Sequence, residues 1–352
     1  QAMVQTSATF PILLFLWVPT DDRLFAMARA LGDAVNKLNG QIQLSRIDIA
    51  SNPSIAQAFQ IQGAPALFAL IGGRPMPILQ GLPSDEELQQ RISDAKQRLG
   101  SKLLILGHFY QRDEIIKHAD FVGDSFQLAK NATERPDADH IVFCGVHFMA
   151  ETADILSTPE QSVTLPNLSA GCSMADMANI DQVQECWDQL GEICGTQPDS
   201  DGLQQIIPVT YMNSSAALKA FCGRNGGIVC TSSNAHAVLE WAFARGKRVL
   251  FFPDQHLGRN TARAMGIPLS EMPLWDPFKA QGGAADPADY ARAKMILWKG
   301  FCSVHQRFTV EQVERARKAY PGVKVIVHPE CSMQVVDAAD GTGSTAYIVK
   351  EI

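Results

Sequence analysis

Six short apolar runs in this 352-residue chain each break off at residues with chemistry to offer. Leu103-Leu104-Ile105-Leu106 runs into Gly107-His108-Phe109-Tyr110, and Ile141-Val142-Phe143 into Cys144-Gly145-Val146-His147. Ile206-Ile207-Pro208-Val209 meets Thr210-Tyr211-Met212-Asn213, and Ile228-Val229 meets Cys230-Thr231-Ser232-Ser233-Asn234. Val249-Leu250-Phe251-Phe252 ends in Pro253-Asp254-Gln255-His256, and Val325-Ile326-Val327 in His328-Pro329-Glu330-Cys331. Apolar runs of this length without alternation suit strands buried on both faces, as parallel sheets of α/β folds require. Ligands of such sheets sit beyond the carboxyl ends of the strands. His, Tyr, Asn, Ser and Glu recurring there predict one enzyme site assembled from many strands.

A chain of this length exceeds one ordinary core, so two to four domains are expected. Hydrophobic residues at 46% and charged ones at 19% mark a folded, soluble composition. The net charge of −7 argues against nonspecific nucleic-acid binding, which needs a basic face, and leaves room for a local basic pocket for an acidic metabolite. No apolar stretch is long enough to span a bilayer and no signal peptide is visible, so the expected compartment is the cytoplasm, with no membrane or nucleic-acid partner. The eight cysteines are scattered without disulfide-scaffold spacing, and none precedes Cys144. They read as reduced thiols, several of them ordinary buried hydrophobes. The chain opens on Gln1 rather than Met, which reads as a cut or processed start.

Residues 1–85 form one expected unit. The pattern predicts a strand over 10–17, a helix over 25–38, a strand over 43–49, a short helix over 54–59 and a strand over 66–71. Gly72-Gly73 then turns the chain into a hairpin at Pro77-Ile78-Leu79. This order resembles the thioredoxin fold, with Gly63-Ala64-Pro65 where that family has its cis-proline. Val18-Pro19-Thr20-Asp21-Asp22-Arg23 stands where thioredoxins carry Cys-x-x-Cys. Dithiol exchange requires a thiolate, so the unit is expected to be redox-inactive. It resembles the thioredoxin-like domain of chaperedoxin-type co-chaperones, which implies either client binding or a plain docking or stabilising role. An amphipathic helix over 86–99, with Leu88, Ile92, Ala95 and Leu99 on one face, could close this unit or open the next. Residues 281–293, rich in Ala, Gly and Asp, read as a surface insertion.

The later residues carry the chemistry. His108 and Tyr110 lie two apart at one strand end, as do Tyr211 and Asn213 at another, so each pair can share a face. Ser125 in Gly123-Asp124-Ser125, the Asn213-Ser214-Ser215 turn, Ser232 and Thr345 in Gly343-Ser344-Thr345 all stand at expected helix starts. Such starts either hold an anionic substrate or serve as plain caps. His328-Pro329-Glu330 places a base near neutral pKa beside a carboxylate, with Pro329 stiffening the backbone between them. Cys172, expected to begin a helix, and Cys302 are either iron-ligating thiolates or buried thiols. Cys302-x-x-His305 also suggests zinc and a hydrolase, although no second pair completes a finger.

Residues 101–352 resemble quinolinate synthase. The likeness runs through Gly107-His108-Phe109-Tyr110-Gln111, Gly123-Asp124-Ser125, Gly145-Val146-His147-Phe148-Met149-Ala150-Glu151-Thr152-Ala153 and Ala170-Gly171-Cys172-Ser173-Met174-Ala175-Asp176. It continues in Tyr211-Met212-Asn213-Ser214-Ser215-Ala216-Ala217, Thr231-Ser232-Ser233, Pro253-Asp254-Gln255-His256-Leu257-Gly258, Cys302-Ser303-Val304-His305, His328-Pro329-Glu330 and Gly343-Ser344-Thr345.

The resemblance implies a transferase of NAD biosynthesis that condenses iminoaspartate with dihydroxyacetone phosphate, with an L-aspartate oxidase as supplier of iminoaspartate. It implies repeated three-layer α/β domains with parallel sheets, here about 100–180, 181–302 and a partial third at 303–352. It also implies a [4Fe–4S] cluster held by one cysteine per domain, two of them Cys172 and Cys302. His108, Ser125, Tyr211, Met212, Asn213, Ser232, His328, Pro329, Glu330 and Thr345 are the implied substrate shell. Tyr110, His328 and Glu330 are the implied proton-transfer groups. The family's third cysteine follows the Gly-Ser-Thr motif by several dozen residues, and Cys331 does not match it. Activity of this length of chain is therefore expected to be impaired, and the competing expectation is a partner-binding protein with an inert catalytic region.

Overall fold

The computed structural model describes residues 2–352 except Asp21, Lys37, Asn39, Gln62, Leu82, Pro83, Ala280, Gln281, Gly282 and Ala284. The chain divides into two compact units, Gln1–Gly100 and Ser101–Ile352.

The first unit begins with α1 (Ala2–Thr6), β1 (Ile12–Trp17), α2 (Asp22–Asn36), β2 (Gln43–Asp48) and α3 (Pro53–Ala58). It continues with β3 (Ala66–Ile71), β4 (Arg74–Gln80) and α4 (Asp85–Leu99). Its sheet has the order β2-β1-β3-β4, with β2 parallel to β1 and the other two pairings antiparallel. Side chains alternate along β1: Ile12, Leu14 and Leu16 join Ala66, Phe68 and Leu70 in one core, while Phe15 packs with Ala28 and Leu67 in another. The peptide bond between Ala64 and Pro65 is cis. Asp21, within the segment that replaces Cys-x-x-Cys, lies outside the described residues. The helix left open between the two units is α4, which starts on a reciprocal cap between Ser84 and Glu87 and falls within the first compact unit.

In the second unit all six runs are strands. The first sheet holds β5 (Leu103–His108), β6 (Phe121–Gly123), β7 (His140–Cys144) and β8 (Ser162–Thr164), in the order β6-β5-β7-β8. Its helices are α5 (Asp113–Ile116), α6 (Ser125–Thr133) and α7 (His147–Leu156). After α8 (Ile180–Cys194) come β9 (Ile207–Tyr211), α9 (Ala216–Arg224), β10 (Ile228–Cys230), α10 (Ala235–Phe243), β11 (Val249–Phe252) and α11 (Gln255–Ala264). Then follow β12 (Leu274–Trp275), α12 (Pro287–Arg292) and β13 (Met295–Trp298), giving the order β10-β9-β11-β13-β12. The chain continues with α13 (Val310–Ala319), β14 (Ile326–Val327), α14 (Met333–Ala338), β15 (Gly341–Thr342) and α15 (Thr345–Glu351). Every pairing in these three sheets is parallel. In the two larger sheets the leading strand lies between the next two in sequence, so one plan is used twice, and β14-β15 repeats its opening.

Of the six runs expected to be buried on both faces, β5, β9 and β11 are buried along their whole length, whereas β7, β10 and β14 are only partly so. Two further expectations need correction. Met295-Ile296-Leu297-Trp298 is a strand the sequence reading passed over, because Lys299-Gly300 follows it rather than a reactive group. Residues 281–293 are not wholly a surface insertion. Gln281, Gly282 and Ala284 lie outside the described residues, but α12 places Tyr290 in the core, where its hydroxyl donates to the Leu274 carbonyl at 2.9 Å.

Candidate active site

Four of the six polar strand ends, those of β5, β9, β10 and β14, meet around one cavity of about 730 Å³; the end of β7 gives it Val146 but neither Cys144 nor His147, and the end of β11 does not line it. At the end of β5, the Tyr110 N–H donates to Nδ1 of His108 at 3.4 Å, and the two rings lie 4.0 Å apart. At β14 the same bend recurs, with the Glu330 N–H donating to Nδ1 of His328 at 3.3 Å. An accepting Nδ1 puts the neutral imidazole's proton on Nε2, so each histidine is fixed as a donor. Burial pushes His108 down to about 4 against the pull of Asp124. It pushes His328 equally low, against Glu330 and with the help of His305. At β9, Ser214 is fully buried and locks the turn, donating to the Tyr211 carbonyl at 2.7 Å and accepting from Thr210 at 2.9 Å. This turn presents Tyr211, Met212 and Asn213 to the cavity.

The other expected residues fall around the same space. Ser125, Ser232 and Thr345 line it, as do Tyr110, Glu330, Cys172 and Cys302. Pro329 does not. It is buried behind the wall, and its carbonyl accepts from the Asn260 amide at 2.8 Å. Its place in the substrate shell is corrected to a backbone role, since a proline here has no N–H to donate and no polar side chain.

The helix starts also differ from a set of open anion sites. Asp124 accepts the N–H groups of Phe126 and Gln127, and Ser344 accepts that of Tyr347. Ser215 accepts from Leu218, and Glu151 reaches from α7 to accept the Ala216 N–H at 2.8 Å. The dipole of α9 is thus answered by a protein carboxylate. Of these starts only that of α10, behind Ser232, lacks a side-chain cap, so polar side chains more than free helix ends face a ligand.

Buried carboxylates form the deepest part of the site. Nδ1 of His305 pairs with Oε2 of Glu330 at 2.9 Å, and the His305 and His328 rings stack at 4.6 Å. Burial works to raise the Glu330 carboxyl, but these two histidines hold it below its usual value. Asp254, fully buried, moves the other way through burial and the charge of Glu330. Asp254 accepts the Leu257 N–H at 2.7 Å and the Cys302 N–H at 3.1 Å, so it anchors the Cys302 loop. Asn260 donates to both the Pro329 and Cys331 carbonyls, at 2.8 and 2.9 Å, bracketing Glu330. Sequence reasoning missed Asp254 and Asn260 as site supports. The signal available was the Asp at the end of a buried strand, with Asn260 six residues on in α11. Tyr110 is raised to about 12 by burial and the nearby Cys172, which keeps its phenol protonated at neutral pH.

Cys172 and Cys302 occupy matching loops. Each carbonyl accepts an N–H four residues on, from Asp176 and from Gln306, at 3.1 Å. Each loop enters a one-turn 3-10 helix, Ala175–Met177 or His305–Arg307, and a capping Asn179 or Thr309 stands seven residues after the cysteine. The Ser173 and Ser303 hydroxyls meet at 3.2 Å across the two loops. The expected α-helix at Cys172 is therefore a single 3-10 turn, and the thiol is not lowered overall: burial raises it, with the Ala175 and Met174 N–H groups opposing. Two thiols facing one cavity, with backbone donors turned toward the sulfur of Cys172, suit thiolate ligation of an iron–sulfur cluster. Cys331, by contrast, is buried and does not line the cavity.

A family model described as quinolinate synthetase A protein matches residues 90–352. The chain is 67% identical to a quinolinate synthase of Corynebacterium glutamicum over 76% of its length and 66% of the relative's. It is 56% identical to that of Acidobacterium capsulatum and 55% to that of Rhodopirellula baltica, each over 76% of this chain, covering 70% and 69% of those relatives. The chain thus spans about two thirds of the length of these relatives. Among solved structures, human ERp44 is similar at 16% identity over 41% of this chain and 43% of its own, with a TM-score of 0.20, too slight to bear on either unit.

Proposed function

Because the chain belongs to the quinolinate synthase family, we propose that its cavity serves the condensation of iminoaspartate with dihydroxyacetone phosphate, releasing phosphate and two waters to give quinolinate. The observation that carries this reading is the convergence of four polar strand ends and two cysteines on one space. A [4Fe–4S] cluster held in part by Cys172 and Cys302 would supply a Lewis-acidic iron to the substrate.

The chain's own residues do the rest. The Nε2–H groups of His108 and His328 and the hydroxyls of Ser125, Ser232 and Thr345 hold the oxygens of iminoaspartate and its partner. The Asn213 amide and Tyr211 orient the imino acid, while Met212 closes the wall beside them. Glu330, kept ionised by its histidines, accepts protons as the adduct isomerises and dehydrates, and His328 beside it takes part in that transfer. Tyr110 retains its phenolic proton and donates it to a leaving hydroxyl. An L-aspartate oxidase is the expected supplier of iminoaspartate, and the cytoplasm is the expected compartment for a site that needs free thiols.

For the first unit we read a thioredoxin-like domain without redox chemistry. Its sheet order, with one parallel and two antiparallel pairings, supports the fold part of this reading.

The test is anaerobic purification of the chain extended to its relatives' length, reconstitution with iron and sulfide, and assay of quinolinate. Cys172→Ala and Cys302→Ala should each abolish cluster binding, while Cys230→Ala, buried away from the cavity, should not. A reconstituted protein that holds the cluster yet forms no quinolinate from the two substrates would overturn the assignment.

A further inference from the structure

We propose that Cys302, His305 and Glu330 form a site for one divalent cation, zinc above all, which uses only one of the two cavity thiols. A sulfur, an imidazole nitrogen and a carboxylate oxygen of these residues all lie within 4.8 Å of one another. A tetrahedral zinc with bonds of about 2.0–2.3 Å holds its ligands on the order of 3.5 Å apart. Small side-chain movements thus bring the three donors onto one ion. Cys302-x-x-His305 puts two of them on one tight turn, and Glu330 approaches from the end of β14.

The contact between His305 and Glu330 argues for a shared guest. Nδ1 of His305 is buried and lies 2.9 Å from Oε2 of Glu330, close enough to share a proton. A divalent cation binding here takes the place of that proton, as ligation by imidazole and carboxylate requires. The supports around them are those of a built metal site, where outer contacts fix the ligands. Asp254 holds the Cys302 N–H, Asn260 holds the backbone on both sides of Glu330, and His328 stacks on His305. Three protein ligands leave a fourth position open for water or a substrate oxygen, the pattern of a reactive rather than a purely structural zinc. The site exists whether or not the cavity also accepts an iron–sulfur cluster, but one sulfur cannot serve both. A zinc-loaded chain is therefore closed to cluster assembly.

The chain, purified without oxygen and freed of metal, is titrated with cobalt(II). Its visible bands report four-coordination, and its near-ultraviolet thiolate charge transfer reports sulfur ligation. One equivalent should bind, and zinc should displace it. Cys302→Ser should remove the sulfur band. His305→Ala and Glu330→Gln should each weaken binding by at least the roughly 10–100-fold that loss of an outer-shell partner costs. Cys172→Ala should leave band and affinity unchanged. Loss of the band in Cys172→Ala means an ion bridging the two thiols and overturns the proposal, as does full affinity in His305→Ala. Circular dichroism checks each fold, and His305→Gln replaces the alanine variant if that one unfolds. Because the cluster reading requires Cys172 and this one does not, each can fail without the other.

Discussion

His108 and His328 end their strands in the same way, each accepting a backbone N–H from two residues on. That local bond makes a neutral, donor-presenting ring, and burial enforces it. The cost appears on acidification. An unfolded histidine titrates near 6.5, whereas folded His108 titrates near 4. The folded-state value is depressed, so the stabilisation is full above pH 6.5 and is lost as pH falls toward 4. For His108 it amounts to on the order of 3 kcal/mol. Urea unfolding of the second unit followed from pH 7 to 4 should show His108→Gln losing less stability than the parent. Equal slopes would place the sensitivity elsewhere. At this scale the sequence was informative about which side chains meet, because strand ends and two-residue spacing are local. It did not reveal the partners of Asp254, Asn260 and Glu151, which lie 48, 69 and 65 residues away. Long-range hydrogen bonds leave no periodic trace.

Strands and their exits are the elements that build the site, and their legibility followed from burial. An apolar run ending in a reactive residue was visible, and β13, ending in Lys299-Gly300, was not, although it delivers Cys302. Gly300 shows how tightly that delivery is made. A Cβ on it would stand 2.2 Å from the Pro253 carbonyl oxygen, while its own carbonyl accepts the Gln255 N–H at 2.9 Å. Strand β11's exit and strand β13's exit thus run in backbone contact, with Asp254 bonded across to Cys302. Gly300→Ala should push the two exits apart and destabilise the unit by about 1–3 kcal/mol, as overpacking does. Its cobalt charge-transfer band should weaken with the displaced thiol. An unchanged denaturation midpoint and band would show that the exits have slack.

The whole molecule carries separate apolar cores in its two compact units. Trp17 belongs to the first, and Trp187, Trp241, Trp275 and Trp298 to the second. Leu14 is fully buried in the first core, so Leu14→Ala should cost about 2–5 kcal/mol there. The fluorescence transition absent from a Trp17→Phe background should move to lower urea, and the transition of the other tryptophans should stay in place. A joint shift would mean that the two units unfold as one. The division was legible because composition and pattern change along the chain, from mixed strand pairing to runs of parallel strand and helix. The position of α4 was not, since an amphipathic helix states which face it buries but not against which neighbour.

The outer strand of the first unit has one more effect. β4 lies at the edge of its sheet and carries Pro75 and Pro77, opposite Leu70 and Phe68 of β3. Prolines at alternate positions strip N–H donors from the exposed rim. A strand from another molecule would find acceptors there but few donors, so this edge of the sheet resists growth into an intermolecular ribbon. At high protein concentration this edge is protected against aggregation. A partner strand that extends this sheet would therefore have to join at the opposite edge, β2, which has no proline.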